Sequence, residues 1–188
     1  ADRFTLGRIF AMSKVLAIDT STSRTSVAII EDGSVLYNGF RDGATAHGPS
    51  LPALVQEALA ISDVDEVVVG MGPGPFTGLR VGIAFAQSFA LARAIPVRGV
   101  CSLDAIAAQI KEADFIITVD ARRKEVYWAR YVNGVRVGQP AVDFPADVTG
   151  ATIHADLYPE MTALVNLAGD ITEPIYLRRP DAVATADR

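Results

Sequence analysis

Apolar positions follow two rhythms along this chain: short unbroken β-branched runs, and longer stretches that repeat every three or four residues. Val15-Leu16-Ala17-Ile18, ending in Asp19, reads as a buried strand, and Thr25 to Ile30 and Val35 to Arg41 follow it as two more. Glu31-Asp32-Gly33-Ser34 is a hairpin turn, so these strands predict a three-stranded antiparallel meander. A helix is expected from Ser50, as N-cap, to Ala60, with Leu51, Leu54, Val55, Ala58 and Leu59 on one face. Val67-Val68-Val69 is a strand buried on both faces, followed by a Gly/Pro loop and a helix from Thr77, as N-cap, to Arg93. Pro96 ends that helix, Val97 to Val100 is a strand, and Ser102 caps a helix from Leu103 to Lys111. Phe115 to Asp120 opens a second unit whose hairpin is marked by Asn133-Gly134. Beyond Val137 the pattern is loop-rich until Tyr158-Pro159, where a short helix to Ala168 is expected, and Pro174 to Pro180 reads as extended.

The stretch Glu66 to Arg93, EVVVGMGPGPFTGLRVGIAFAQSFALAR, carries the most information. A glycine loop between strand and helix suggests phosphate binding, but no Lys-Ser or Lys-Thr closes it as in a P-loop. Pro73 and Pro75 also remove two N–H groups from any pyrophosphate cradle, so the loop reads as a stiff shaped surface. In the helix, Val81, Phe85 and Phe89 share a face with Gly78, Gly82 and Ala92, while Leu79, Ile83, Ala86 and Ala90 form a flank. Gly78, Gly82, Ala86 and Ala90 make a row of small residues at i, i+4 spacing. Such a helix is covered on more than one side, either wholly within its own domain or by its sheet and a partner. The bulky set is expected to fill the core and the small row to meet a partner helix.

Residues 15–30, VLAIDTSTSRTSVAII, and 116–131, IITVDARRKEVYWARY, share a plan: buried strand, Asp, polar turn, return strand. That repeat predicts two related halves. In the first turn, Asp19, Thr20, Ser21, Thr22 and Ser23 could hold a hydrated metal and a phosphate, or simply satisfy the turn's own backbone. The second turn, Ala121-Arg122-Arg123-Lys124-Glu125, has no Gly, Ser or Thr and is either a solvated tip or a basic docking spot.

Composition narrows these readings. The 188 residues are 50% hydrophobic and 7% aromatic, with a mean hydropathy of +0.27, which suggests an extensive interface. No apolar run reaches the roughly 18 residues of a membrane span. A net charge of −5 gives no global basic field for nucleic acid. A lone Cys101 excludes an internal disulfide and fits the cytoplasm. No leader pattern opens the chain. Met12 reads as a natural start, which leaves 1–11 as a cloning remnant or upstream extension. The expected division is an N-terminal subdomain over 12–101 and a reduced C-terminal one over 102–188.

Together, the Asp-Thr-Ser-Thr hairpin, GMGPGPFTGLRVG, Cys101-Ser102-Leu103-Asp104, VDARRKEVYWARY and the tail YLRRPDAV resemble the TsaB family, also called YeaZ. The resemblance runs over most of Val15 to Val183 and is weaker between Val137 and Thr172, where the chain is short for the family. It implies an α/β actin-like fold of two related subdomains, each a mixed sheet with helices. It also implies a non-catalytic dimerisation subunit in making threonylcarbamoyladenosine beside the anticodon of tRNA. Such a subunit pairs with a catalytic paralogue, TsaD, recruits the ATPase TsaE, forms a homodimer when alone and meets tRNA only through the complex. The paralogue carries a metal-binding His-x-x-x-His on the helix that here begins Ser102-Leu103-Asp104-Ala105. With only His47 and His154 in the chain, no such histidine pair can form at that spacing. The expected partner face is Leu51, Leu54, Val55, Ala58, Gly78, Gly82, Ala86 and Ala90. Asp19, Thr20, Ser21 and Gly74 are a candidate vestigial or shared nucleotide site, with no cofactor held by the chain alone and ATP or ADP with Mg entering in the complex. The alternatives are an actin-like ATPase using Asp19 to Ser23, and a homodimeric binding module.

Overall fold

The structure is a computed structural model and describes residues 13–178. The readings of residues 1–11 and of the tail beyond 178 lie outside those described residues. The first sheet is built from β1 (Lys14–Asp19), β2 (Arg24–Glu31), β3 (Ser34–Asp42), β4 (Glu66–Gly70) and β5 (Val97–Val100), in the order β3-β2-β1-β4-β5. Strands β1, β2 and β3 pair antiparallel, whereas β4 lies parallel to β1 and β5 parallel to β4.

The unbroken apolar runs have a direct physical consequence, because successive residues of a strand point to opposite faces. Leu16, Ile18, Val27, Ile29, Val67 and Val69 enter one core with α1 (His47–Leu59) and α2 (Phe76–Arg93). Their neighbours Val15, Ala17, Ala28, Ile30 and Val68 enter a second core on the opposite face. It is closed by Ala105 of α3 (Ser102–Ala107) and by Met161 and Leu164 of α4 (Met161–Asn166). The central strands are therefore dry on both sides.

The second sheet consists of β6 (Asp114–Asp120), β7 (Val126–Val132), β8 (Val135–Asp143) and β9 (Thr152–His154), in the order β8-β7-β6-β9. It repeats the plan of the first, an antiparallel meander with one parallel strand beside its leading strand. Phe115, Ile117, Ala129 and Tyr131 pack against Cys101, Leu103, Ile106 and Ala107. The α3 segment is thus the joint: Ala105 faces one sheet, Leu103 and Ile106 the other.

Several boundaries differ from the sequence expectations. Helix α1 begins at His47, not Ser50, and α2 begins at Phe76 behind Pro75, without a side-chain cap from Thr77. Helix α3 includes Ser102 and stops at Ala107, where Gln109 Nε2 donates to the carbonyls of Ile106 and Tyr158. β8 continues to Asp143, and β9 lies in a stretch expected as loop, being too short for any periodicity to show. Glu160 caps α4 by accepting from the N–H groups of Thr162 and Ala163, so that helix starts later than Tyr158. Among the described residues no helix is long and apolar enough to cross a membrane.

Candidate functional site

The first hairpin turn, the Gly/Pro loop and the start of α2 converge on Asp19. Its Oδ1 accepts from Ser21 N (2.9 Å) and Ser21 Oγ (2.7 Å), and its Oδ2 accepts from Ser102 Oγ (2.6 Å). The residue is 1% exposed. Burial pushes its carboxyl above the ordinary range, and the donors from Ser102 and Ser21 oppose that shift. The other hydroxyls are also engaged inside the fold. Thr20 Oγ1 donates to Gly78 O (2.8 Å), Thr22 Oγ1 accepts from Arg24 N (3.1 Å), and Thr25 Oγ1 lies 2.8 Å from His47 Nδ1. His47 is buried, and burial lowers the pKa of its imidazole below the usual histidine value.

The glycines of the signature stretch follow from the same geometry. A Cβ on Gly74 would stand 2.4 Å from the carbonyl oxygen of Ser21, and one on Gly82 would stand 2.3 Å from Thr20 Oγ1. Loop and helix therefore pack directly on the turn's backbone. Of the hydroxyls, Thr22 Oγ1 satisfies the turn's own backbone, Ser21 Oγ meets the Asp19 carboxylate and Thr20 Oγ1 ties the turn to α2. Sequence reading missed Ser102 and His47 because both reach the turn only across the fold, 83 and 22 residues from their partners Asp19 and Thr25. Among the described residues, no group of three or more His, Cys, Asp or Glu is placed to hold a metal. Cys101 is buried, and burial pushes its thiol up to about 12, which disfavours the thiolate.

Across from the loop stands the second turn. A cleft of about 790 Å³ lies between Thr45, Pro75 and Thr77 on one wall and Arg122, Tyr176 and Arg178 on the other. Arg122, Arg123 and Lys124 have φ of 63°, 55° and 64°, three consecutive left-handed residues. Each costs roughly 1–2 kcal/mol for a residue bearing a Cβ. Asp120 Oδ1 accepts from Arg122 N (2.8 Å), Glu125 N donates to Arg122 O (3.0 Å), and Ala121 N donates to Glu125 O (2.9 Å).

The expected orientation of α2 is corrected. Gly78, Gly82, Ala86 and Ala90 are buried against the chain's own first sheet and hairpin turn, with Ala86 at 0% exposure. Leu51, Leu54, Val55 and Ala58 of α1 are buried in the same core. The side chains of Val81, Phe85 and Phe89 are only half-buried, with the Phe85 and Phe89 rings stacked 6.0 Å apart, and Leu91 is 83% exposed. The physical reason is distance. The Thr20 hydroxyl reaches the α2 backbone at Gly78 and would meet a Cβ on Gly82, so side chains are excluded at those two positions, while Leu79 and Ile83 fill the core beside them.

Two related mixed sheets, joined by a short helix and covered by helices, make this an actin-like α/β protein. A family model described as "TsaD: tRNA N6-adenosine threonylcarbamoyltransferase" matches residues 42–183. An uncharacterized protein of Mycobacterium tuberculosis (strain H37Rv) is 44% identical over 200 residues, covering 91% of this chain and 94% of that protein. The "tRNA threonylcarbamoyladenosine biosynthesis protein TsaB" of Escherichia coli K12 is 36% identical over 138 residues. That match covers 67% of this chain and 59% of the E. coli protein. The structure of YeaZ from Pseudomonas aeruginosa superposes with a TM-score of 0.74 at 27% identity, covering 88% of this chain and 100% of that one. The chain belongs to the family that this model describes, in its TsaB (YeaZ) branch.

Proposed function

We propose that this chain is a non-catalytic subunit in the formation of threonylcarbamoyladenosine on tRNA, acting in the cytoplasm. The observation that carries the reading is its 36% identity to a protein named for that biosynthesis. The groups on α3 that stand where the resemblance puts the paralogue's metal ligands have other tasks. Ser102 donates to Asp19, and Asp104 accepts from Tyr131 and pairs with Arg136.

The subunit pairs with the catalytic paralogue TsaD, and the pair recruits the ATPase TsaE. When alone it forms a homodimer through the same surface. That surface is the outer side of α2, with Val81, Phe85, Phe89 and Leu91, in place of the buried small row. A net charge of −5 opposes the counterion-release contribution to nucleic-acid affinity, so tRNA is met through the complex. ATP or ADP with Mg likewise enters there. The division into subdomains at 101/102 belongs to the same reading.

The test is size-exclusion chromatography with light scattering on this chain mixed with its own organism's TsaD. A stoichiometric complex is expected, and Phe85→Glu should weaken it at least about tenfold by placing a charge in a desolvated seam. A mixture that elutes as separate components, or submicromolar tRNA binding by the single chain, would overturn the reading.

A further inference from the structure

The segment after α4 runs across the molecule and touches both sheets. Its start is firmly held: Gly169 N donates to Gly99 O (3.0 Å), Asp170 bridges to Gly99, and Ile171 packs into two of the cores. Gly99 is glycine because a Cβ there would stand 2.1 Å from Ile171 O. Thr172 and Glu173 are exposed, and from Pro174 onward the attachments change character. Ile175 N donates to Met71 O (2.8 Å), the Tyr176 ring sits 5.0 Å from that of Phe76, and Arg80 Nε donates to the Tyr176 hydroxyl (3.2 Å). Two residues on, Arg178 Nη1 donates to Ala121 O (2.9 Å) and its guanidinium pairs with Glu125. Ile175, Tyr176 and Arg178 thus join the Gly/Pro loop and α2 to both ends of the strained basic turn.

We infer that residues 174–178 are a releasable strap that forms one wall of the cleft, holds the Arg122–Lys124 turn in its left-handed form, and opens the cleft when it detaches. Three features support this. The left-handed turn has a carboxylate cap from Asp120 on one side, and on the other its closing residues Ala121 and Glu125 are gripped by Arg178 alone among the tail contacts described. The strap lies at the surface, since the Arg178 and Glu125 side chains are 23% and 26% exposed and Tyr176 is 38% exposed, while the Arg178 Nη2 that meets Glu125 is buried beneath them. Upstream, the Gly99 pairing and Ile171 anchor the segment, so release ends at Thr172–Glu173 and gives up one partly buried core contact, that of Ile175 with the cluster around Phe115 and Tyr131. The strap is a property of this chain alone and does not depend on a partner covering α2.

Hydrogen exchange and limited trypsin digestion of the full chain test it, with Arg178→Ala and Tyr176→Ala as variants. The ring contact and hydrogen bond described for the Tyr176 side chain go to Phe76 and Arg80 of α2, so a segment acting as a unit is needed to transmit their loss to the turn. Both variants should speed amide exchange at Ala121 and Glu125 by about tenfold, and cleavage within Arg122–Lys124 by a similar factor, with β1 and β4 unchanged. Wild-type exchange at the turn in Tyr176→Ala would overturn the strap, and so would exchange that rises equally in β1 and β4.

Discussion

The two hairpins, β1-turn-β2 and β6-turn-β7, share one topology and meet opposite surroundings. In the first, the strand ends in a carboxylate that is 1% exposed, ringed by donors and roofed by a glycine loop. In the second, the corresponding Asp120 side chain is 66% exposed and caps a turn of three cations. The covering layers explain the difference. Helices pack on both faces of the first sheet, so β2 is buried along nearly its whole length. The second sheet has α3 on one face, and β7 alternates buried and part-exposed residues accordingly. A roofed turn must satisfy every polar group internally, whereas an open turn can let water serve its charges but must hold its shape by local strain and side-chain clamps.

Ala86→Arg tests the roof over the first hairpin and should have the largest effect. An unpaired guanidinium at a position with 0% exposure in the α2 core should cost several kcal/mol and remove the cooperative melt seen by circular dichroism. A variant that melts normally would mean that the small row faces outward after all. Asp19→Asn is subtler. The folded pKa of Asp19 is raised, so its stabilising contribution is complete below the ordinary carboxylate pKa and is lost as pH rises through the folded value. The melting temperature of wild type should therefore fall, relative to the Asn variant, as pH rises from 4 towards 8. A difference that stays flat over that range would show that the donors outweigh burial. Smallest is Lys124→Gly in the second turn. Relief of left-handed strain, less the entropy cost of glycine, should raise stability by about 0.5–1 kcal/mol in a denaturant titration. Destabilisation there would mean that the turn is not strained.

The sequence alone determined β1 to β7, the internal repeat and the family, but neither β9 nor the full length of β8. These depend on local runs: Val15–Ile18, Val67–Val69 and Phe115–Asp120 are too apolar and too short for anything but buried strands, and Asn133-Gly134 can hardly be other than a hairpin. Tertiary structure alone decided which side of α2 faces inward. Both sides are apolar, and the choice follows from the Thr20 hydroxyl standing against Gly78 and Gly82, 58 and 62 residues away. The same holds for Asp19, whose third donor is Ser102 from α3, and for the tail, where Tyr176 N donates back to Pro174 O in a tight turn and Arg178 meets a Glu125 remote in sequence. Periodicity says how much of a face is apolar. What a face meets depends on distances between segments remote in sequence, and those exist only once the chain has packed.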